Sequence, residues 1–167
     1  ISGPNSREFL SSLTDIDISK EAFPFMKMKE GKVCGIDARI FRISFTGELS
    51  FEINVPSRYG LFVWNEFMNH GKKYDITPYG TESMHVLRAE KGFIIVGQDT
   101  DGSVTPKDIN MDWIVSKKKE DFLGKRSFSR SDTRRTDRKQ LVGLLVNDKK
   151  TVLPEGSYVV DEAKPRP

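Results

Sequence analysis

Apolar residues alternate with polar ones in two neighbouring stretches. Phe41, Ile43 and Phe45 fall on one face of a predicted strand over 39–45, and Phe51, Ile53 and Val55 on one face of another over 50–55. Thr46-Gly47-Glu48-Leu49 separates them, which predicts a hairpin with a slightly extended loop. The same alternation turns Glu52 away from Phe51, Ile53 and Val55. Helical spacing follows. Pro56 closes the strand, Ser57 is the expected N-cap, and Leu61, Trp64 and Met68, with Phe67 beside them, mark an amphipathic helix ending at His70-Gly71. Thr77-Pro78 predicts the next start, Met84, Leu87 and Lys91 share a side, and Gly92 is the expected stop.

The flanking segments are less regular. Gly3-Pro4-Asn5 reads as a turn, with Ser6 capping a short helix through Leu13. Between Asp15 and Glu30 the pattern is irregular, and Phe23, Phe25, Met26 and Met28 are expected in the core. Phe93 to Val96 predicts a short strand or buried segment, and Asp101-Gly102 a turn. Thr105-Pro106-Lys107-Asp108 resembles a helix start with Asp108 near the capping-box position. A helix entry is expected at Phe122 to Arg126, a buried strand at Leu141 to Val146, and a pairing strand at Tyr158 to Val160 across Pro154-Glu155-Gly156. Strands and helices mix without strict βαβ alternation, so the expected fold class is α+β.

Composition narrows the classes. With 37% hydrophobic and 31% charged residues the chain reads as a soluble globular protein, and no apolar run approaches a membrane span. Its start lacks the pattern of a signal peptide. It begins at Ile1 and ends in Lys164-Pro165-Arg166-Pro167, so both ends read as cut. Cys34 is the only cysteine and His70 and His85 the only histidines. No internal disulfide or zinc cluster is expected, and a reducing, cytoplasmic location is. Net charge is +3, unevenly spread: between Lys117 and Lys139 ten basic residues face four acidic ones, a local +6. Such a stretch is either a solvated connector or a surface for an anion, a nucleic acid or an acidic partner.

Few residues suggest chemistry by themselves. The chain has no Gly-x-Gly-x-x-Gly, phosphate loop or nucleophile elbow. His85 reads as an ordinary half-buried helical residue and Cys34 as a small apolar one. Arg88 and Glu90 read as helix-surface or capping contacts. Glu52 either faces solvent or points into a cleft, where its two acceptor oxygens suit a flat ligand with adjacent N–H donors, such as a pterin edge. Trp113 either fills the core or stacks on such a ring.

Several blocks in order carry a resemblance. Phe45-Thr46-Gly47-Glu48-Leu49-Ser50-Phe51-Glu52 resembles the aromatic-Thr-Gly-Glu-x-x-apolar-Glu signature of the glycine-cleavage T-protein, or aminomethyltransferase, family. Gly3-Pro4-Asn5-Ser6-Arg7, Leu87-Arg88-Ala89-Glu90-Lys91-Gly92, Gly97-Gln98-Asp99, Thr105-Pro106 and Trp113 agree at matching spacing. The resemblance covers essentially the whole chain. From Tyr79 to Gly102 it is most similar to the branch found in the carboxyl-terminal part of alpha subunits of heterotetrameric sarcosine oxidases. The chain departs from the glycine-cleavage enzymes at Met84, where they typically carry arginine, and at Phe45, where they carry tyrosine.

The resemblance implies a fold, a ligand and a role. The expected architecture is a folate-binding domain of antiparallel sheet and packed helices over 1–116. A basic connector over 117–139 and the beginning of a carboxyl-terminal β-barrel over 140–167 follow. Glu52 corresponds to the family's pterin-binding glutamate, Phe45 to the aromatic beside the ring, and Trp113 to an aromatic near the folate. The family's catalytic aspartate maps upstream of Ile1, so no catalytic residue is assigned and the piece alone is expected to be inactive. The ligand implied is tetrahydrofolate, with FAD, FMN and NAD bound elsewhere in the complex, and the partners are other oxidase subunits rather than nucleic acid or membrane. The reaction implied is capture of the carbon from oxidative demethylation of sarcosine as 5,10-methylenetetrahydrofolate. The alternatives are a glycine-cleavage aminomethyltransferase and a non-catalytic folate-binding module of the superfamily. The latter group's signature has a cysteine where this chain has Phe93. A nucleic-acid-binding role for the basic stretch is a third alternative, with Phe122 and Phe128 its only interleaved aromatics.

Overall fold

The computed structural model describes residues 1–162 and divides into two compact units, one over Ile1–Ser103 and one beginning at Val104. In the first, α1 (Ser6–Ser11) precedes an antiparallel three-stranded sheet of β1 (Met28–Val33), β2 (Ile36–Phe41) and β3 (Glu52–Asn54) in the order β1-β2-β3. Helices α2 (Gly60–His70) and α3 (Thr81–Glu90) follow. The α+β expectation and the antiparallel sheet hold.

The core is built from one face of that sheet. Val33, Ala38 and Ile40 turn inward and meet Phe9 and Leu10 of α1, together with Ile18, Phe23 and Phe51. Phe9 packs edge-on against Phe67 and Tyr74, at centroid separations of 5.2 and 5.8 Å, which fastens α1 to α2 and the turn behind it. The outer face is charged. Glu30 lies opposite Arg39 and Lys32 opposite Asp37 in the ladder, and both pairs form ion pairs, at 3.0 and 2.7 Å. Gly31 stands between them because no side chain fits: a Cβ there would lie 2.4 Å from Cγ1 of Ile16.

Several expected elements move. The β2 strand ends at Phe41, and Phe41 pairs directly with Glu52, so the connection spans 42–51 rather than a four-residue loop. Ile43 and Phe45 therefore leave the sheet. The β1 strand had no counterpart in the sequence reading, and Phe25, Met26 and Met28 are exposed, leaving only Phe23 of that group in the core. Ser6 does not cap α1. It lies inside the helix, and its Oγ donates to the Leu49 carbonyl at 2.9 Å. Ser57 begins a short 3-10 turn instead of capping α2, and the inward residues of α2 are Val63 and Phe67, with Leu61 solvated. The α3 helix starts at Thr81, behind Gly80, not at Thr77-Pro78. Its end is as expected, with Gly92 at φ +70° just beyond the last turn. Phe93 to Val96 forms no strand.

The second unit holds together around a polar centre. Thr105 and Asp108 form the expected capping box on a 3-10 turn, Pro106–Ile109. Asp108 is buried and receives Arg138 through Nε at 2.9 Å and Nη2 at 2.6 Å, a fork that ties the basic stretch to this turn. Leu141 donates its N–H to the Asp108 carbonyl at 2.7 Å. The helix entry expected near Phe122 is a 3-10 turn, Lys125–Ser129, behind Gly124 at φ +92°. Leu141 to Val146 and Tyr158 to Val160 form no strand, and their apolar side chains are largely exposed. The second unit contains no strand among the described residues, so the sequence signal for strands is not realised.

Candidate functional site

Sequence blocks far apart along the chain converge on one loop. Residues 42–51, between β2 and β3, are held from two sides. On one side, Gly3 donates its N–H to the Leu49 carbonyl at 2.8 Å, and Phe51 donates to the Ile1 carbonyl at 2.9 Å. Buried Thr46 places its Oγ1 3.3 Å from Ser2 Oγ. On the other side, Lys91 at the end of α3 lies across Gly47 and reaches Glu48 at 3.5 Å. Gly47 has φ +80°, and a Cβ there would stand 2.6 Å from Lys91 Cγ. The Thr-Gly-Glu block, the Gly-Pro-Asn-Ser block and the Glu-Lys-Gly block thus pack against each other.

That loop forms one side of a cleft of about 920 Å³ within the first unit. Its floor is Phe9, Phe51 and Phe67, and α2 contributes Val63, Trp64 and Met68. Tyr79 and Met84 complete the rim. Phe45, Trp64 and Tyr79 are each roughly half exposed, at 40%, 54% and 49%, so three flat faces are available to a ligand. The charged residues along this wall, Glu52 and Asp75, are both acidic. An apolar cleft with few polar groups, at this volume, is the usual form of a small-molecule site.

Glu52 is positioned by its place in the sheet. It lies on an edge strand, with Ile53 beside it turned towards the core and Glu52 itself exposed. Its Oε1 accepts a hydrogen bond from Asn54 Nδ2 at 2.9 Å, and its second oxygen makes no hydrogen bond among the described residues. One oxygen is thus steadied and the other free to accept. Phe45 lines the same cleft. Trp113 belongs to the second unit, on a 3-10 turn at Asp112–Ile114, where it is 73% exposed and not a core residue. Trp64 and Tyr79 were not among the site residues read from the sequence. Trp64 read as an ordinary member of the buried helical face, and only its half-exposure beside Val63 marks it as cleft wall.

Two further arrangements stiffen the surroundings. Arg42 lies over both Phe25 and Phe51, at 5.4 and 5.5 Å, and donates to the Ser50 carbonyl at 3.1 Å. Arg88 of α3 donates to Asp99 and to the Phe93 carbonyl, folding the 93–99 turn back on the helix. Burial works against ionisation of Asp99, but hydrogen bonds from the Ile95 N–H and Arg88 outweigh it and hold the carboxyl below its ordinary value. Among the described residues no helix is long and apolar enough to cross a membrane, and no cluster of His, Cys, Asp or Glu could hold a metal ion.

These features belong to a recognised class. Residues 1–119 match the family described as the GCVT N-terminal domain, and the chain is a member of that family. Among particular proteins, it is 57% identical over 160 residues to the sarcosine oxidase subunit alpha of Corynebacterium sp. (strain P-1), an alignment covering 95% of this chain and 16% of that protein. It is 38% identical over 162 residues to the same subunit of Rhizobium meliloti (strain 1021), covering 96% of this chain and 16% of that one. It is 34% identical over 125 residues to the aminomethyltransferase of Thermoanaerobacter sp. (strain X514), covering 75% and 34% respectively. The chain therefore spans about a sixth of the length of the oxidase subunits it matches.

Proposed function

We propose that this chain supplies one wall of a tetrahydrofolate site in the alpha subunit of a heterotetrameric sarcosine oxidase. The observation that carries this reading is the meeting of Glu52 and Phe45 on one apolar cleft. Glu52, with a carboxylate oxygen still free to accept, hydrogen-bonds the N–H edge of the pterin, and Phe45 packs beside the ring. Each charge-assisted hydrogen bond of this kind is worth about 1.5–3 kcal/mol. Trp64 and Tyr79 extend the aromatic surface along the remainder of the ligand. FAD, FMN and NAD are assigned to other parts of the complex.

On this reading sarcosine is oxidised at a flavin elsewhere, and the resulting iminium carbon is taken up by tetrahydrofolate as 5,10-methylenetetrahydrofolate, with glycine released as its C–N bond breaks. An iminium that escapes capture is hydrolysed by water to formaldehyde and glycine. The apolar Met84 on the cleft rim favours this branch over a glycine-cleavage aminomethyltransferase, which typically has arginine there. The test uses the assembled, full-length enzyme with saturating sarcosine and tetrahydrofolate. Glu52→Gln is expected to divert product from methylenetetrahydrofolate to formaldehyde while flavin reduction by sarcosine keeps its rate. Unchanged partition between the two products would refute the role of Glu52.

A further inference from the structure

The outer face of the sheet carries a polar row that ends at Glu52. Arg39 and Asn54 are directly opposed in the ladder between β2 and β3, as are Phe41 and Glu52. Ile40 and Ile53, which lie between them, turn to the core, so Arg39, Asn54 and Glu52 share the other face. On that face Glu30 of β1 takes Arg39 at 3.0 Å, and Asn54 Nδ2 donates to Glu52 Oε1 at 2.9 Å. Both contacts are made within one sheet.

This row decides which neighbour reaches Glu52. Arg39 is its diagonal neighbour across the ladder, and such positions are about 7–8 Å apart, within reach of a long side chain. A guanidinium turned onto Glu52 would take both carboxylate oxygens in a fork and cancel the charge. Glu30 engages Arg39 instead, and no side-chain cation pairs with Glu52 among the described residues. The Ile1 amino group, on the Phe51 carbonyl at 2.8 Å, senses the Glu52 charge without pairing with it. Asn54 is neutral, so it holds one oxygen and leaves the charge intact. It is exposed on a strand, where asparagine is disfavoured, so neither burial nor strand propensity accounts for it. We propose that Asn54 is a positioning residue for Glu52, and that the Glu30–Arg39 ion pair withholds the neighbouring guanidinium, so that the second carboxylate oxygen stays open to the pterin edge. This rests on the folate reading of the cleft and extends its machinery to residues on the outer face of the sheet.

Calorimetric titration of the full-length alpha subunit with 5-formyltetrahydrofolate tests both contacts. Asn54→Leu keeps the size of the side chain and removes the amide, and is expected to weaken binding about three- to tenfold. In a Glu52→Ala background the same change should alter affinity by less than about twofold, because no carboxylate remains to be held. A merely structural role for Asn54 would weaken both backgrounds alike. Glu30→Gln frees Arg39 and should weaken binding about two- to fivefold at low salt, the range of an exposed ion pair, and less at high salt. Adding Arg39→Gln to Glu30→Gln should restore the parent affinity, whereas a structural defect would deepen. Parent-like binding by either single variant, equal loss in the two Glu52 backgrounds, or no rescue by Arg39→Gln would overturn the inference. Failure of the folate reading is distinct, because it would appear as a parent subunit with no affinity for 5-formyltetrahydrofolate.

Discussion

Gly47→Ala tests whether the cleft-forming loop depends on its glycine. Two penalties add. An L-residue in the left-handed region costs about 1–2 kcal/mol, and Gly47 sits at φ +80°. The new Cβ would also stand 2.6 Å from Lys91 Cγ and 3.2 Å from Lys91 Cβ. Motion of the lysine tip cannot relieve a contact this close to the backbone, so the whole side chain must swing away from Glu48. That exposed ion pair is worth at most about 1 kcal/mol. The sum is about 1–3 kcal/mol. Urea denaturation followed by Trp64 emission, in a Trp113→Phe background, measures it. In a Lys91→Ala background, which lacks both the long side chain and its ion pair, Gly47→Ala should cost less than it does in the parent, close to the backbone penalty alone. A single variant within about 0.5 kcal/mol of the parent would refute the packing of Lys91 over Gly47, as would an equal cost of Gly47→Ala in the two backgrounds.

Other substitutions separate the two units. Phe9 is 2% exposed and touches both Phe67 and Tyr74, so Phe9→Ala should cost the first unit about 3–5 kcal/mol in the same urea experiment. Asp108→Asn should destabilise the second unit by about 2–3 kcal/mol at neutral pH, read from Trp113 emission in a Trp64→Phe background. The pH dependence has a definite sign. The Arg138 fork, opposed by burial and aided by the Thr105 N–H and hydroxyl, holds the Asp108 carboxyl well below the usual carboxylate range. A depressed acid contributes stability that is complete above its unfolded value, about 3.9, and is lost as pH falls through the lower folded value. The second unit should therefore weaken only below about pH 4, and Asp108→Asn should remove that acid limb.

The sequence carried local chemistry better than register. The capping box at Thr105 and Asp108 and the stop at Gly92 depend on a few neighbouring residues, and both stand where their spacing placed them. Glu52 opposite Phe51 and Ile53 follows from strand alternation alone. The β1 strand was hidden because its sequence, Met28-Lys29-Glu30-Gly31-Lys32-Val33, is polar on one face and nearly without side-chain bulk at the centre of the other. What makes it a strand is the opposing ladder, with Arg39 and Asp37 answering Glu30 and Lys32, and only the register reveals that. Phe41, Ile43 and Phe45 kept a strand period that the backbone abandons after Phe41, where the loop instead takes its hydrogen bonds from the start of the chain. In the cleft, Glu52 and Phe45 were legible through the family signature. Trp64 and Tyr79 were not, because spacing does not distinguish a half-exposed aromatic lining a cavity from one filling a core.

We propose that the Glu52 carboxylate on this cleft holds the pterin edge of tetrahydrofolate. Calorimetric titration of the full-length subunit with 5-formyltetrahydrofolate, alongside its Glu52→Gln variant, tests it most directly. Saturable binding at one site per subunit is expected, weakened about tenfold or more by the substitution through the loss of one charge-assisted hydrogen bond. A parent subunit with no folate affinity, or a variant that binds as tightly as the parent, would contradict it.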